Sequence, residues 1–211
     1  MRGSILLLTL LFALGAYGYD ESVKKAYYDS YNYEKMADYE DAVKSLMPVY
    51  KAYPNAYTPN LRLGWLYYLE GKYANALMHY QKAATAVKSA VRPKLGMADI
   101  YILQGKYDEA VRLCNDILKS DYYNYYANLY LARVLTLQKN YDNALAVLYR
   151  MLALYPTDTL FLERLAEVLE RSKGDDEAAK VYEDILILDP KNVAANAFFQ
   201  KREKQAQKKG D

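Results

Sequence analysis

Alanine recurs every 34 residues in this chain, at Ala42, Ala76, Ala110, Ala144 and Ala178. Tyrosine keeps the same period three residues earlier, at Tyr39, Tyr73, Tyr107 and Tyr141. A fixed period of this length means stacked units, each too small to bury its apolar face alone and so packed on its neighbours. Function then becomes a question about the surface that such a stack exposes.

Aligned on the alanines, the units are 23–56, 57–90, 91–124, 125–158 and 159–192. Their eighth positions are all small (Ser30, Gly64, Ala98, Ala132, Ala166), which lets two helix backbones approach closely. Position 11 is large (Tyr33, Tyr67, Tyr101, Leu135, Leu169) and fills the space between helices. A short turn follows: Gly71-Lys72-Tyr73, Gly105-Lys106-Tyr107, Lys139-Asn140-Tyr141, Lys173-Gly174-Asp175. Glycine and asparagine are expected to end the first helix of each unit there, because both tolerate a left-handed backbone. Pro54, Pro156 and Pro190 close three of the units.

These residues make the chain resemble the tetratricopeptide repeat family, most clearly from Ala166 through Gly174-Asp175-Asp176-Glu177-Ala178-Ala179 to Leu188-Asp189-Pro190. The resemblance covers residues 23–192. It implies an all-α, right-handed superhelical solenoid of about five helix-turn-helix units. Departures are Ser30 at the small position and Pro48 inside the second helix of unit one. Lys88 and Tyr122 stand in place of two closing prolines, and Pro59 and Pro93 start the next helices instead, where a missing N–H is harmless. Residues 193–211 read as a capping helix and basic tail, with Val193, Ala194, Ala197 and Phe198 as the stripe facing the last unit. Its basic end offers a possible contact for anionic lipid or glycan, against the simpler reading of a solvated helix end.

Residues 1–18 read as a signal peptide: Met1-Arg2, an apolar run from Ile5 to Leu14, then Ala16-Tyr17-Gly18, whose small residues at −3 and −1 place cleavage after Gly18. That implies export, with the periplasm as the expected compartment. The alternative is an uncleaved membrane anchor, since the uncharged stretch runs from Gly3 to Tyr19.

Tyrosine is over-represented, with 25 against 4 Phe and 1 Trp. Nine occupy expected packing positions 11, 17 and 24; the rest need another account. The family resemblance places the first helix of each unit on a concave face, through positions 2, 5, 9, 12 and 13. Those positions carry Tyr27, Tyr31, Trp65, Tyr68, Asp99, Ile102, Tyr126, Arg133 and Thr136 among others, and turn acidic at Glu163, Glu167 and Glu170. The run Asp121 to Tyr126, with Tyr130, crosses a unit junction and is expected to bring Tyr123 and Tyr126 near Arg133 and Asp99. The candidate partner-binding groove is therefore Tyr27, Tyr31, Trp65, Tyr68, Asp99, Tyr123, Tyr126, Tyr130 and Arg133. Exposed Tyr and Trp suit such a role, burying area while keeping a polar tip. The competing reading is that these rings pack on one another.

Catalytic chemistry is not expected. His79 is the sole histidine and Cys114 the sole cysteine, so histidine metal sites, serine triads and internal disulfides are excluded. Cys114 falls at an interior packing position, and no phosphate-cradling glycine loop is present. A formal charge of +2 argues against nucleic acid as a partner. No cofactor or metal is implied. The expected function is a non-catalytic scaffold or adaptor of the cell envelope, holding an apolar or aromatic-rich segment of another envelope protein. An envelope glycan-binding module and a self-assembling scaffold are the alternatives, and the oligomeric state is left open. The family's grip on acidic chaperone C-termini is not expected, because Tyr27, Tyr31, Leu61 and Trp65 stand where basic and amide residues would be needed.

Overall fold

A computed structural model of the chain describes residues 21–210, so the apolar segment and its cleavage or anchoring lie outside the described residues. Eleven α-helices and no strand occur among them. They are α1 (Glu21–Lys35), α2 (Tyr39–Ala52), α3 (Tyr57–Leu69), α4 (Tyr73–Ala86), α5 (Val91–Leu103), α6 (Tyr107–Leu118), α7 (Tyr125–Leu137), α8 (Tyr141–Leu152), α9 (Thr159–Ser172), α10 (Asp175–Leu188) and α11 (Val193–Gly210). The described residues form two compact units that divide between Pro93 and Lys94. In the first, α1 packs on α2, α2 on α3 and α3 on α4. In the second, α6 to α11 each pack on the next, and α7 also touches α9.

The periodic tyrosines are the first residues of α2, α4, α6 and α8. One turn further on, the periodic alanines are fully buried, as are Ser30, Ala98, Ala132 and Ala166 on the facing helices. Small side chains at both places are what closely packed antiparallel helices require. At Gly64 there is no room for a methyl group: a β-carbon there would lie 2.5 Å from Tyr80 Cδ1 and 2.7 Å from Cε1. Tyr80 is itself buried, so its ring has nowhere to swing. Gly64→Ala is therefore expected to destabilise the first unit by about 1–2 kcal/mol, the overpacking outweighing the gain of about 1 kcal/mol in helix propensity. The denaturation midpoint followed by Trp65 fluorescence measures this.

The turns share one hydrogen bond. The N–H five residues on bonds back to the position-11 carbonyl: Asp38 to Tyr33 (2.9 Å), Lys72 to Tyr67 (2.8 Å), Lys106 to Tyr101 (2.8 Å), Asn140 to Leu135 (2.8 Å) and Gly174 to Leu169 (3.0 Å). Left-handed backbone falls on Gly71 and Gly105, but also on Ala37 (φ 58°) and Lys139 (φ 59°). The expected role of asparagine is thus corrected: Asn140 has φ −87° and stands at the start of α8, its side chain making no bond to that helix's first N–H groups. In the fifth turn the same bond is made with Lys173 at φ −124° and Gly174 at φ 98°, so the bond alone does not set the left-handed position; where that position falls on Lys139, lysine accepts the strain.

Unit junctions are held by a device absent from the sequence reading. Asn60, Asn128 and Asn196 stand two repeats apart, each on the first turn of a helix. Asn60 Nδ2 donates to the carbonyls of Pro54 (2.9 Å) and Ala56 (2.8 Å). Asn128 does the same to Tyr122 (3.0 Å) and Asn124 (2.9 Å), and Asn196 to Pro190 (3.2 Å) and Asn192 (2.7 Å). Each amide satisfies loop carbonyls that the preceding helix cannot.

The stripe expected on α11 is corrected in part. Val193 is 82% exposed, and Ala194 and Ala197 are also exposed. Phe198 faces the core as expected, against Tyr182 at 4.4 Å between ring centroids, and Ala195 joins it there. Asn192 caps the helix through the Ala195 N–H (3.0 Å), and the buried face runs through Ala195 and Phe198.

Candidate functional site

In the first unit, four of the expected groove residues come together around one ion pair. Arg62 on α3 is only 7% exposed; its Nη1 meets Glu34 Oε2 on α1, and its Nε donates to Ser30 Oγ (3.1 Å). The same carboxylate accepts from Trp65 Nε1 through Oε1 (2.7 Å). Tyr31 lies over the guanidinium, 3.8 Å from ring centroid to Cζ. Trp65 in turn stacks on Tyr68 at 5.6 Å, with 16° between planes. Tyr31 (52%) and Trp65 (41%) are the exposed rings. Tyr27, partly buried, packs against the core cluster of Ala42, Leu46, Leu63 and Leu66, and burial pushes its phenol up to about 12. The face is therefore two exposed rings clamped to a nearly buried salt bridge. Glu34, like the rings, falls on the inner face by its repeat position, whereas Arg62 does not, and the ion pair between them became legible only once α1 and α3 were set side by side.

In the second unit, Arg133 Nη1 meets Asp99 Oδ1 at 3.5 Å. Tyr130 is half-buried against Ile102, Ala110 and Val134. Burial first, then the negative charge of Asp99, pushes its phenol up to about 12. Tyr126 is exposed and lies edge-on to Tyr125 at 5.0 Å. Tyr125 donates to Asp158 Oδ2 (2.9 Å), and its phenol rises to about 12 through burial and that bond. Tyr123 is exposed and packs edge-on to Tyr122 at 5.1 Å. Tyr122 is held by Arg150, whose guanidinium lies 4.3 Å from the ring centroid and whose Nη1 donates to the phenol oxygen at 2.7 Å.

Ile102 and Thr136, expected on the inner face, are core residues. Ile102 sits in the apolar cluster, and Thr136 is buried with its hydroxyl bonded back to the Ala132 carbonyl (2.8 Å). The acidic residues of α9 are each engaged: Glu163 by Asn192 (2.6 Å), Glu167 by Arg164 and Arg171, and Glu170 by Lys201 (2.7 Å). No His, Cys, Asp and Glu cluster fit to hold a metal ion occurs among the described residues. Cys114 is buried, and burial pushes its thiol up to about 12, away from nucleophilic character.

Comparison with known proteins agrees with this architecture. The tetratricopeptide repeat family model matches residues 31–91 and 95–159, and a second model of that description matches 135–198. A tetratricopeptide repeat protein from Parabacteroides merdae ATCC 43184 superposes with a TM-score of 0.75 at 18% identity, over 89% of this chain and 76% of its own. MamA gives 0.67 at 17% identity, over 81% of this chain and 93% of its own. TTC0263, a thermophilic tetratricopeptide repeat protein of Thermus thermophilus, gives 0.66 at 17%, over 86% and 96%. No curated protein matches the chain in sequence. These likenesses are of fold, while the family models span most of the chain, and together with the repeated turn they establish that it belongs to the tetratricopeptide repeat family.

Proposed function

We propose that this protein is a non-catalytic adaptor of the cell envelope that binds an apolar or aromatic-rich segment of a partner protein on the first-helix faces of its repeats. The observation that carries this reading is the exposure of Tyr31, Trp65 and Tyr126 beside anchored polar groups. An exposed aromatic held in one orientation, as Trp65 is by its bond to Glu34 and its stack on Tyr68, is suited to binding because little freedom is lost when a partner arrives. Mediation of protein–protein contacts is the general role of the family, and the apolar leader read from the sequence supports an exported location.

The test is crosslinked capture from envelope extract with the wild-type protein beside a Trp65→Ala/Tyr126→Ala variant. Both rings are exposed, so the variant keeps its helicity by circular dichroism. We expect one protein retained by the wild type and lost, by about 100-fold in affinity, from the variant, two hot-spot rings together contributing that much. Equal capture by both removes the aromatic faces from the reading. Retention on isolated cell-wall polymer, reversed by soluble fragments, would favour the glycan alternative.

A further inference from the structure

Arg62 carries an unused donor. Its Nη1 pairs with Glu34 and its Nε bonds Ser30, but Nη2 is buried and has no hydrogen-bond partner among the described residues. A buried guanidinium N–H left without an acceptor needs a reason. What covers the guanidinium is the ring of Tyr31, stacked at 3.8 Å, and that ring is half-exposed on the surface of α1. Rotating one surface side chain would uncover the guanidinium.

We infer that Tyr31 is a lid over a peptide-binding subsite, in which Arg62 Nη2 donates to a backbone carbonyl of the bound segment while Trp65 receives the neighbouring side chain. This rests on the proposed role of the aromatic face and names its ligand chemistry. The charge of Arg62 is already neutralised by Glu34. A second carboxylate would leave a net negative charge in a poorly solvated place, whereas a neutral acceptor satisfies the orphan donor without disturbing the pair. A peptide carbonyl with an adjacent ring or apolar side chain fits both requirements: the acceptor for Arg62 and the contact area for Trp65.

Trp65 is the chain's single tryptophan and shares Glu34 with Arg62, so its indole N–H reports on this place alone. The probes are N-acetyl-tyrosine methylamide, which is uncharged and carries ring and carbonyls, p-cresol, which has the ring alone, and N-acetyl-tyrosine, whose carboxylate is free. Nitrogen–proton spectra of the protein are recorded during each titration. We expect the methylamide to shift the Trp65 indole at about fivefold lower concentration than p-cresol, the value of one modest hydrogen bond. The free acid should bind no more tightly than the methylamide. Arg62→Lys keeps the charge beside Glu34 but loses the planar fork, and should make methylamide and p-cresol equal. If the two probes already act equally on the wild type, the Arg62 subsite is wrong while the aromatic face stands. Tighter binding of the free acid overturns the choice of a neutral acceptor. If no probe moves the indole, both the subsite and this face as a binding surface are overturned. The comparisons on the wild type hold even if the variant fails to fold.

Discussion

Glu34→Ala is expected to destabilise the first unit by about 3 kcal/mol, at the lower end of what breaking a buried ion pair costs. The acid stands between two clients: it neutralises Arg62, which is only 7% exposed, and accepts from the Trp65 indole at 2.7 Å. Removing it leaves a guanidinium that is neither solvated nor paired, with only Ser30 bonded to it. Glu34 itself is about a quarter exposed, so water relieves part of the loss and holds the figure to the lower end. Urea denaturation followed by Trp65 fluorescence reads the effect, and the folded baseline should also change, because the indole loses its acceptor. Replacing both partners, as Glu34→Leu with Arg62→Met, should recover most of the stability, since paired apolar groups leave no orphan charge. A loss below about 1 kcal/mol for Glu34→Ala would mean that the pair behaves as an ordinary surface salt bridge.

The frame of this fold was legible because it is written as repetition. Ala42 and its four equivalents, Gly64 opposite Tyr80, and Cys114 at an interior position each follow from a 34-residue period, since one unit's packing is copied in the next. Tyr31, Trp65 and Tyr126 were legible as exposed rings for the same reason: their positions lie on first helices and away from the packing beat. What the period cannot show is where neighbouring units make particular bonds. Arg62 and Glu34 meet only through the packing of α1 with α3, as do Arg150 and Tyr122 across a unit junction. The asparagine clasps repeat every second unit, so a search at one period passes over them. Ile102 and Thr136 were misplaced because a first helix has a broad buried face, and a single residue's rotation decides between core and groove. On α11 the hydrophobic pattern alone found Phe198 but not Ala195.

His79 makes the first unit sensitive to mild acid. The ring is buried, with Tyr67 stacked at 5.4 Å, Tyr50 edge-on at 5.0 Å, Lys82 nearby, and Nδ1 at 2.9 Å from Asn60 Oδ1. Both Asn60 amide hydrogens go to loop carbonyls, so its oxygen faces the ring as acceptor and Nδ1 carries the proton. Burial, reinforced by Lys82, brings the imidazole down to about 4 from 6.5. Above pH 6.5 folded and unfolded chains are both neutral at this residue, and its contribution is fully present. Between 6.5 and about 4 the unfolded chain gains a proton that the folded chain refuses, so stability falls with pH. The full loss, about 3 kcal/mol, is reached below about pH 4. Because His79 is the sole histidine, the slope between about pH 5 and 6.5 belongs to it, carboxylates being ionised there. His79→Gln keeps a donor for Asn60 but no basic nitrogen, and should flatten stability across that interval. An unchanged slope in the variant would show that another group sets the acid response. A flat wild-type curve would show that the ring protonates without leaving its place between the two tyrosines, their π-faces and edges tolerating the charge. In either case the asparagine clasp at Pro54 and Ala56 is the element to watch by amide exchange, since the imidazole is the side chain that holds Asn60 from the α4 side.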